Sequence, residues 1–385
     1  MNLLIISHTP HYRQNRKIVG WGSTIREVDQ LATLFTNVTH LAPLHPEPPP
    51  GSALPYTQNN VRFVPVKPAG GNQLVNKLNI IARIPQWLSA IRREVRRADA
   101  LHIRCPAAIS MLGLIGAWIW GKRKPVWVKY AGNWGSYPGK PFSYRLQQAY
   151  LTRSSHNWVV TINGHIPDQP DHFLTFANPS FSIKEYQGAK EVGLTKEMSL
   201  PIKLLFVGRV SPAKGVDRLL EIADQLHQRA VPFELTIVGD GDECLKYQSM
   251  MSRLGLDVFV TFTGWQSMTE LSKYYGNAHI ILLPSISEGW PKVLSEAMAF
   301  GAVPIASEVG SIPEIFKRTE AGLAIPPGDV DAYVDAIIKY THDVNAWKRA
   351  SLNGVQAAKE FTYEHYLSAV KEIFQSKWKL DISCE

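Results

Sequence analysis

The chain has 385 residues with 45% hydrophobic and 19% charged residues, and its 41 Lys and Arg against 33 Asp and Glu give a formal net charge of +8. That length allows two domains of ordinary size, and the balance excludes a disordered chain. Cys105, Cys244 and Cys384 are too widely spaced for a disulfide framework or a metal knuckle and suit a reducing compartment, while the positive charge leaves nucleic acid, a phosphorylated small molecule or an anionic membrane as partners.

Met1–Ser7 lacks a basic flank and a long apolar core, so it reads as a first strand and not a signal peptide, and the chain is expected to be cytoplasmic or peripheral on the cytoplasmic face of the inner membrane. Gly20-Trp21-Gly22-Ser23 precedes a helix expected over 23–35, with apolar Ile25, Val28, Leu31 and Phe35 at helical spacing. Short strands are expected at 38–41, 61–66, 100–103 and 126–130. Between them, 76–98 carries Lys77, Arg83, Arg92, Arg93, Arg96 and Arg97 against Glu94, beside Leu78, Ile80, Ile81, Ile84, Trp87, Leu88 and Ile91. It reads either as a helix with one core side or as a cationic amphipathic segment on an anionic membrane. The uncharged run 107–120 falls short of the roughly 20 residues that span a bilayer and reads as a helix buried behind a sheet, with a membrane-dipping segment as the alternative.

A polar stretch over 178–200 reads as a linker. Beyond it a second β/α series has strands at 203–207, 234–238, 258–261, 280–283 and 303–306. Its helices are expected at 216–229, 243–254, 268–275, 293–300 and 330–339, with a last helical stretch at 363–377. Alternating short apolar strands and helices predict parallel sheets covered on both faces. The expected domains are 1–177, a linker over 178–200, 201–360, and a C-terminal helix in 361–385 returning to the first domain.

Two loops carry the chemistry. Gly208-Arg209-Val210-Ser211-Pro212-Ala213-Lys214-Gly215 leaves a buried strand and enters a helix. Its glycines permit tight turns, and Arg209 and Lys214 put two cations beside a helix N-terminus, a pattern suited to a diphosphate. Leu283 to Ala297 follows another strand. Pro291 suits the first turn of a helix, which would leave the N–H groups of Lys292, Val293 and Leu294 free for phosphate oxygens. Glu288 before this helix and Glu296 on it are good partners for sugar and ribose hydroxyls.

Gly208-Arg209…Lys214-Gly215 and the Glu288-(seven residues)-Glu296 pair resemble the C-terminal half of glycosyltransferase family 4. Val238-Gly239-Asp240-Gly241, Phe262-Thr263-Gly264-Trp265, Glu296 to Gly301 and Val309-Gly310-Ser311-Ile312-Pro313-Glu314 fall where that family has similar segments. The resemblance implies the GT-B architecture: two Rossmann-like α/β domains with parallel sheets facing a central cleft. It also implies retaining transfer from a nucleotide-diphosphate sugar without a cofactor or divalent metal, with Arg209 and Lys214 on the diphosphate, Glu288 on the sugar and Glu296 on the ribose. Gly264 and Trp265 would adjoin the base, and Gly289 and Trp290 would complete the donor loop. A saccharide or lipid-linked saccharide acceptor, in polysaccharide or lipopolysaccharide synthesis, is the implied second substrate.

On the acceptor side, Gly20, Trp21 and Gly22 sit where the family has a glycine loop. Arg104 stands where many members have a histidine, able to bind an anionic group or to form a structural ion pair, and His102, on the opposite face, is expected to be buried. Asn133 ends the next strand as a further acceptor candidate. A nucleotide-sugar epimerase or hydrolase on the same fold, or an inactive nucleotide-binding subunit, are the alternative readings. Nucleic acid is disfavoured, because no recognition motif accompanies the charge and paired carboxylates repel phosphates.

Overall fold

In the computed structural model, residues 1–69, 74–135, 137, 139–153, 157–166 and 168–382 are described, with only the backbone for 74–78. Cys384 and the side chains of Lys77 and Leu78 lie outside the described residues. The chain divides into two units, Met1–Phe176 with Tyr366–Glu385, and Ala177–His365.

Unit 1 runs β1 (Asn2–Ile6), β2 (His11–Gln14), β3 (Lys17–Trp21), α1 (Gly22–Ala32), β4 (Asn37–Pro43), β5 (Ala53–Pro55), β6 (Val61–Val66), α2 (Leu74–Arg97), β7 (Ala100–Cys105), α3 (Ala108–Trp120), β8 (Val126–Tyr130), α4 (Phe142–Arg153), β9 (Trp158–Ile162) and β10 (Phe173–Thr175). Seven of these strands form a parallel sheet in the order β10-β9-β8-β7-β1-β4-β6, and β2, β3 and β5 form a small antiparallel sheet. Leu4, Ile6, Leu101 and Ile103 pack under α2, α3 and α4. Their strand neighbours Leu3, Ile5 and Ala100 pack under α1 and the C-terminal helix, as strand alternation requires. Burial of both faces explains why these strands read as continuous apolar runs.

The apolar side of α2, through Trp87, Ile91 and Val95, is part of this core. The segment 76–98 thus lies in a helix with the expected core side, and its Arg92, Arg93, Arg96 and Arg97 are exposed on the other face. The run 107–120 is a helix with buried Ile109, Leu114 and Ala117, and its last turn leaves Trp118 and Ile119 exposed.

Unit 2 runs α5 (Ile183–Thr195), β11 (Ile202–Val207), α6 (Val216–Gln228), β12 (Phe233–Val238), α7 (Cys244–Arg253), β13 (Val260–Gly264), α8 (Met268–Asn277), β14 (Ile280–Leu283), α9 (Lys292–Ala299), β15 (Val303–Ser307), α10 (Ile312–Thr319), β16 (Leu323–Ile325), α11 (Val330–His342) and α12 (Val344–Ala358). The stretch expected as a linker, 178–200, holds α5. A capping box starts that helix, with the Ser182 hydroxyl accepting from the Glu185 N–H at 3.2 Å and the Glu185 carboxylate accepting from the Ser182 N–H at 2.6 Å. Tyr186 and Ala189 bury it in the unit 2 core. The last helix, α13 (Tyr363–Trp378), passes from one unit to the other, and its Tyr366, Val370 and Phe374 join the unit 1 core.

The six strands of unit 2 lie parallel in the order β13-β12-β11-β14-β15-β16. The order reverses between β11 and β14, and ligands of such open sheets bind outside the carboxyl ends of the strands at that point. The two loops singled out by sequence follow these two strands.

Candidate functional site

Glycines set the spacing of the loops at this switch point. Gly215 ends a short 3₁₀ turn (Pro212–Lys214) with φ of +77°, and a Cβ there would lie 2.0 Å from the Pro284 carbonyl oxygen. Gly239, with φ of +136°, lies so close to Gly208 that a Cβ would meet its carbonyl oxygen at 1.9 Å. The loops are joined by Ile286 N–H to Ala213 oxygen at 3.1 Å and Gly208 N–H to Val238 oxygen at 3.0 Å. Arg218, which the sequence reading passed over, donates twice to the Pro284 oxygen, from Nε at 3.0 Å and Nη2 at 2.8 Å.

This scaffold brings Lys214 and Glu288 together across 74 residues of sequence, Nζ to Oε1 at 2.5 Å. Glu288 is nearly buried and Lys214 partly exposed. Arg209 stands in solvent at the same end of β11 and donates to Asp242 at 2.9 Å. The backbone of Glu288 and Gly289 rests on 309–311: the N–H and hydroxyl of Ser311 both donate to the Gly289 oxygen, at 3.1 and 3.0 Å. Gly310, with φ of +60°, leaves space that a Cβ would take 2.2 Å from the Glu288 oxygen.

Two sequence expectations need correction. Pro291 is the N-cap of α9 and not its first residue, and its carbonyl accepts the Leu294 N–H at 3.1 Å, so that N–H already has a partner. Val293 and Lys292 occupy the first turn. Trp290 is a core residue, stacked on Phe361 at 4.9 Å and 9° and edge-on to Phe316. The sequence placed it in the loop next to Glu288, but its partners come from distant elements.

Glu296 accepts the Tyr275 hydroxyl proton at 2.7 Å. Burial, reinforced by the neighbouring carboxylate, pushes the Tyr275 phenol well above its usual pKa, so it remains a donor. Both line a cavity of about 500 Å³ between α5, α8 and α9, with Phe181, Met268, Thr269 and Phe300. Gly264, with φ of +71°, ends β13 and accepts from the Gly239 N–H at 2.9 Å, and Trp265 beside it is exposed.

In unit 1, Gly20 lies within β3 and Gly22 opens α1, so strand passes to helix at Trp21 with no intervening loop. A Cβ on Gly20 would meet the His11 ring at 2.7 Å, and one on Gly22 the Ser52 oxygen at 2.6 Å. Trp21 is half exposed. Asn133 accepts the Gly135 N–H at 2.8 Å beyond the carboxyl end of β8. Arg104 is in an ion pair: it holds the buried Glu27 with Nη1 at 2.6 Å and Nη2 at 3.2 Å. Lys129, its register neighbour on β8, donates to the same carboxylate at 2.6 Å, and the Tyr366 hydroxyl donates at 2.9 Å. The ion-pair alternative for Arg104 is the one realised. Glu27 was missed, although a lysine inside the buried run Val126-Trp127-Val128-Lys129-Tyr130 signals a carboxylate partner. His102 is fully buried and stacked on Trp127 at 3.9 Å.

Burial lowers the pKa of His11 and His279 to about 4 and holds His40 and His102 well below the ordinary value. The native protein keeps these rings neutral where the unfolded chain, titrating at about 6.5, takes up protons. Stability is therefore fully present above about pH 7 and lost as pH falls from about 6.5 towards 4. We expect the melting temperature to drop by about 10 °C between pH 7.5 and 5. A flat profile in calorimetry over that interval would contradict neutral buried histidines.

Among the described residues no cluster of three or more His, Cys, Asp or Glu could hold a metal ion, and no helix is long and apolar enough to cross a membrane. Residues 196–356 match the family model of the glycosyl transferases group 1. This segment, which lies within unit 2, is therefore similar to the group 1 glycosyl transferases. It contains Arg209, Lys214, Glu288 and Glu296. The amylovoran biosynthesis glycosyltransferase AmsK of Erwinia amylovora is 32% identical over 145 residues, 36% of this chain and 36% of that protein. The lipopolysaccharide 1,6-galactosyltransferase of Salmonella typhimurium is 32% identical over 158 residues, 38% of this chain and 44% of its own. The chain thus spans less than half the length of these two curated relatives. The crystal structure of Anabaena Alr3699/HepE in complex with UDP is alike over 98% of this chain and 100% of that one, with a TM-score of 0.69 at 15% identity. That likeness is one of fold, the GT-B class of two Rossmann-like parallel-sheet domains.

Proposed function

We propose that the protein is a retaining, metal-independent glycosyltransferase that moves a sugar from a nucleotide-diphosphate sugar to a hydroxyl of a saccharide or lipid-linked saccharide. The observation that carries this reading is the Lys214–Glu288 pair at the topological switch point of unit 2, with Arg209 on the same loop. Arg209, Lys214 and the first turn of α9 would neutralise the diphosphate, the largest electrostatic contribution available. Glu288 would hold the sugar hydroxyls, and Glu296, with Tyr275 donating to it, the ribose at the edge of its cavity. The acceptor oxygen attacks the anomeric carbon on the face the phosphate leaves, the bond from that carbon to the phosphate oxygen breaks, and the hydroxyl proton passes to the departing phosphate. The products are a glycoside and a nucleoside diphosphate. The relatives named for amylovoran and lipopolysaccharide support a setting in cell-surface polysaccharide assembly.

Thermal shift with UDP, GDP, ADP, CMP and dTDP in EDTA tests the donor site. One nucleoside diphosphate should raise the melting temperature by about 5 °C at saturation, and Arg209→Ala with Lys214→Ala should abolish the shift. No stabilisation of the wild type at millimolar concentration would defeat the reading.

Peripheral contact with the anionic cytoplasmic face of a membrane is part of the proposal. Residues 74–153 carry fourteen Lys and Arg against only Glu94 and Asp99. Arg92, Arg96, Arg97, Lys122 and Arg123 are exposed, as are Trp118 and Ile119 on α3. Lys124 ties this turn to the end of α2 by donating to the Val95 oxygen at 2.7 Å. A cationic surface bearing an exposed tryptophan suits anionic lipid. In flotation assays, binding to phosphatidylglycerol vesicles is expected to exceed binding to phosphatidylcholine and to fall with salt. Equal partitioning would remove the membrane from the proposal.

A further inference from the structure

Four side chains of unit 1 and the backbone of Thr9 close a circuit of hydrogen bonds. His11 Nδ1 lies 2.9 Å from the Thr9 carbonyl oxygen, and a carbonyl only accepts, so Nδ1 carries the proton. His11 Nε2 is then an acceptor, and the Tyr56 hydroxyl, 2.7 Å away, donates to it. The Tyr56 oxygen accepts from His40 Nδ1 at 2.7 Å. His40 Nε2 is left to accept from the Ser7 hydroxyl at 2.7 Å. Ser7 Oγ accepts the Thr9 N–H at 3.2 Å, which returns the circuit to its start. One carbonyl thus fixes the direction of every bond and the tautomer of both histidines.

The circuit joins four separate segments: the end of β1, β2, β4 and the turn after β5. The junction Gly20-Trp21-Gly22 rests directly on it. Gly20 lies against the His11 ring, with room for no Cβ, and the Gly22 N–H donates to the Ser52 oxygen at 3.0 Å, four residues before Tyr56. Asp29 of α1 holds the same segment through the Thr57 N–H at 2.9 Å and hydroxyl at 2.7 Å.

We infer that Tyr56 is a positioning residue: by closing this one-way circuit it seats the β2–β3 hairpin and fixes the Gly20-Trp21-Gly22 junction for acceptor binding. The part concerning the acceptor rests on the glycosyltransferase reading; the seating of the junction does not. A one-way circuit tolerates no added proton, because protonated His11 would oppose an N–H to the Tyr56 hydroxyl. Burial favours the neutral state of both rings. His45 acts in the same sense on His11, as do His11, Arg104 and His102 on His40, while the Thr9 carbonyl opposes it on His11; burial and then Asp29 keep Tyr56 protonated.

Tyr56→Phe removes one oxygen and keeps the ring. Hydrogen exchange at the amides of Gly20, Trp21 and Gly22 should then accelerate about tenfold while that of β7 and β8 stays unchanged. Acceptor KM should rise about tenfold, with the nucleotide-induced thermal shift, which reports unit 2, as in the wild type. Lowering the pH of the wild type from 7 to 4, where His11 is about half protonated, should reduce the protection factors of the same three amides once the slower intrinsic exchange in acid is taken into account, an independent measurement if the variant folds poorly. Unchanged protection at the junction in both arms would overturn the inference. Faster exchange with an unaltered acceptor KM would overturn its functional half. Failure of every nucleotide to stabilise the wild type would instead strike the donor reading and leave the exchange experiment intact.

Discussion

Lys214→Ala is expected to lower kcat/KM for the sugar donor by about 10³-fold, about 4 kcal/mol of transition-state stabilisation. Two effects combine. On the proposed reading, the substitution removes a cation from the place where the leaving diphosphate would gather charge, and it leaves the nearly buried Glu288 carboxylate without its 2.5 Å partner. An unpaired carboxylate there would repel a diphosphate donor as well. Adding Glu288→Gln separates the two contributions: it should recover donor binding but not turnover, since the sugar contact is then weakened. A double-mutant cycle on Lys214 and Glu288 gives the coupling energy. Stability should change little, because Lys214 is partly exposed and exposed pairs contribute about 1 kcal/mol or less. A loss of activity below tenfold would mean that the diphosphate is held elsewhere.

The largest effect on stability is expected at Glu27. Glu27→Ala should cost unit 1 about 3 to 5 kcal/mol, read as a fall in the denaturation midpoint at unchanged slope. Arg104 and Lys129 are adjacent in register on β7 and β8, both are largely buried, and the Glu27 carboxylate lies between them. Like charges opposite each other on neighbouring strands repel, so removing the carboxylate exposes each cation to the other as well as to an apolar surrounding. Replacing Glu27, Arg104 and Lys129 together with apolar residues of similar volume should restore most of the loss, since desolvation offsets much of what buried ion pairs contribute. A cost under 1 kcal/mol for the single change would show that water reaches the cluster. The same geometry fixes what Arg104 does. Its guanidinium is committed to Glu27 on α1.

The parallel strands were readable because their signal is local. A strand covered on both faces must be apolar throughout, and the turn that leaves it must allow a tight backbone, so 203–207 followed by Gly208 and 280–283 followed by Pro284 identify themselves. The short strands β2, β3 and β5 escaped because an antiparallel ribbon as polar as His11-Tyr12-Arg13-Gln14 is held by pairing and by the buried His11, neither of which leaves a periodic trace. Helix α5 escaped for a similar reason: its capping box spans only Ser182 to Glu185, and a single face holding Tyr186 and Ala189 gives weak periodicity.

By itself the sequence determined the βα alternation, the glycines that let two loops meet, and the residue types suited to a diphosphate and a sugar. Tertiary structure decided which charges face each other. Lys214 meets Glu288, Arg104 meets Glu27, and Trp290 turns into the core, because each partner arrives from an element far along the chain. Backbone preferences are set within a few residues, whereas the partner of a charge or a ring depends on strand order and register, which only the folded sheet defines.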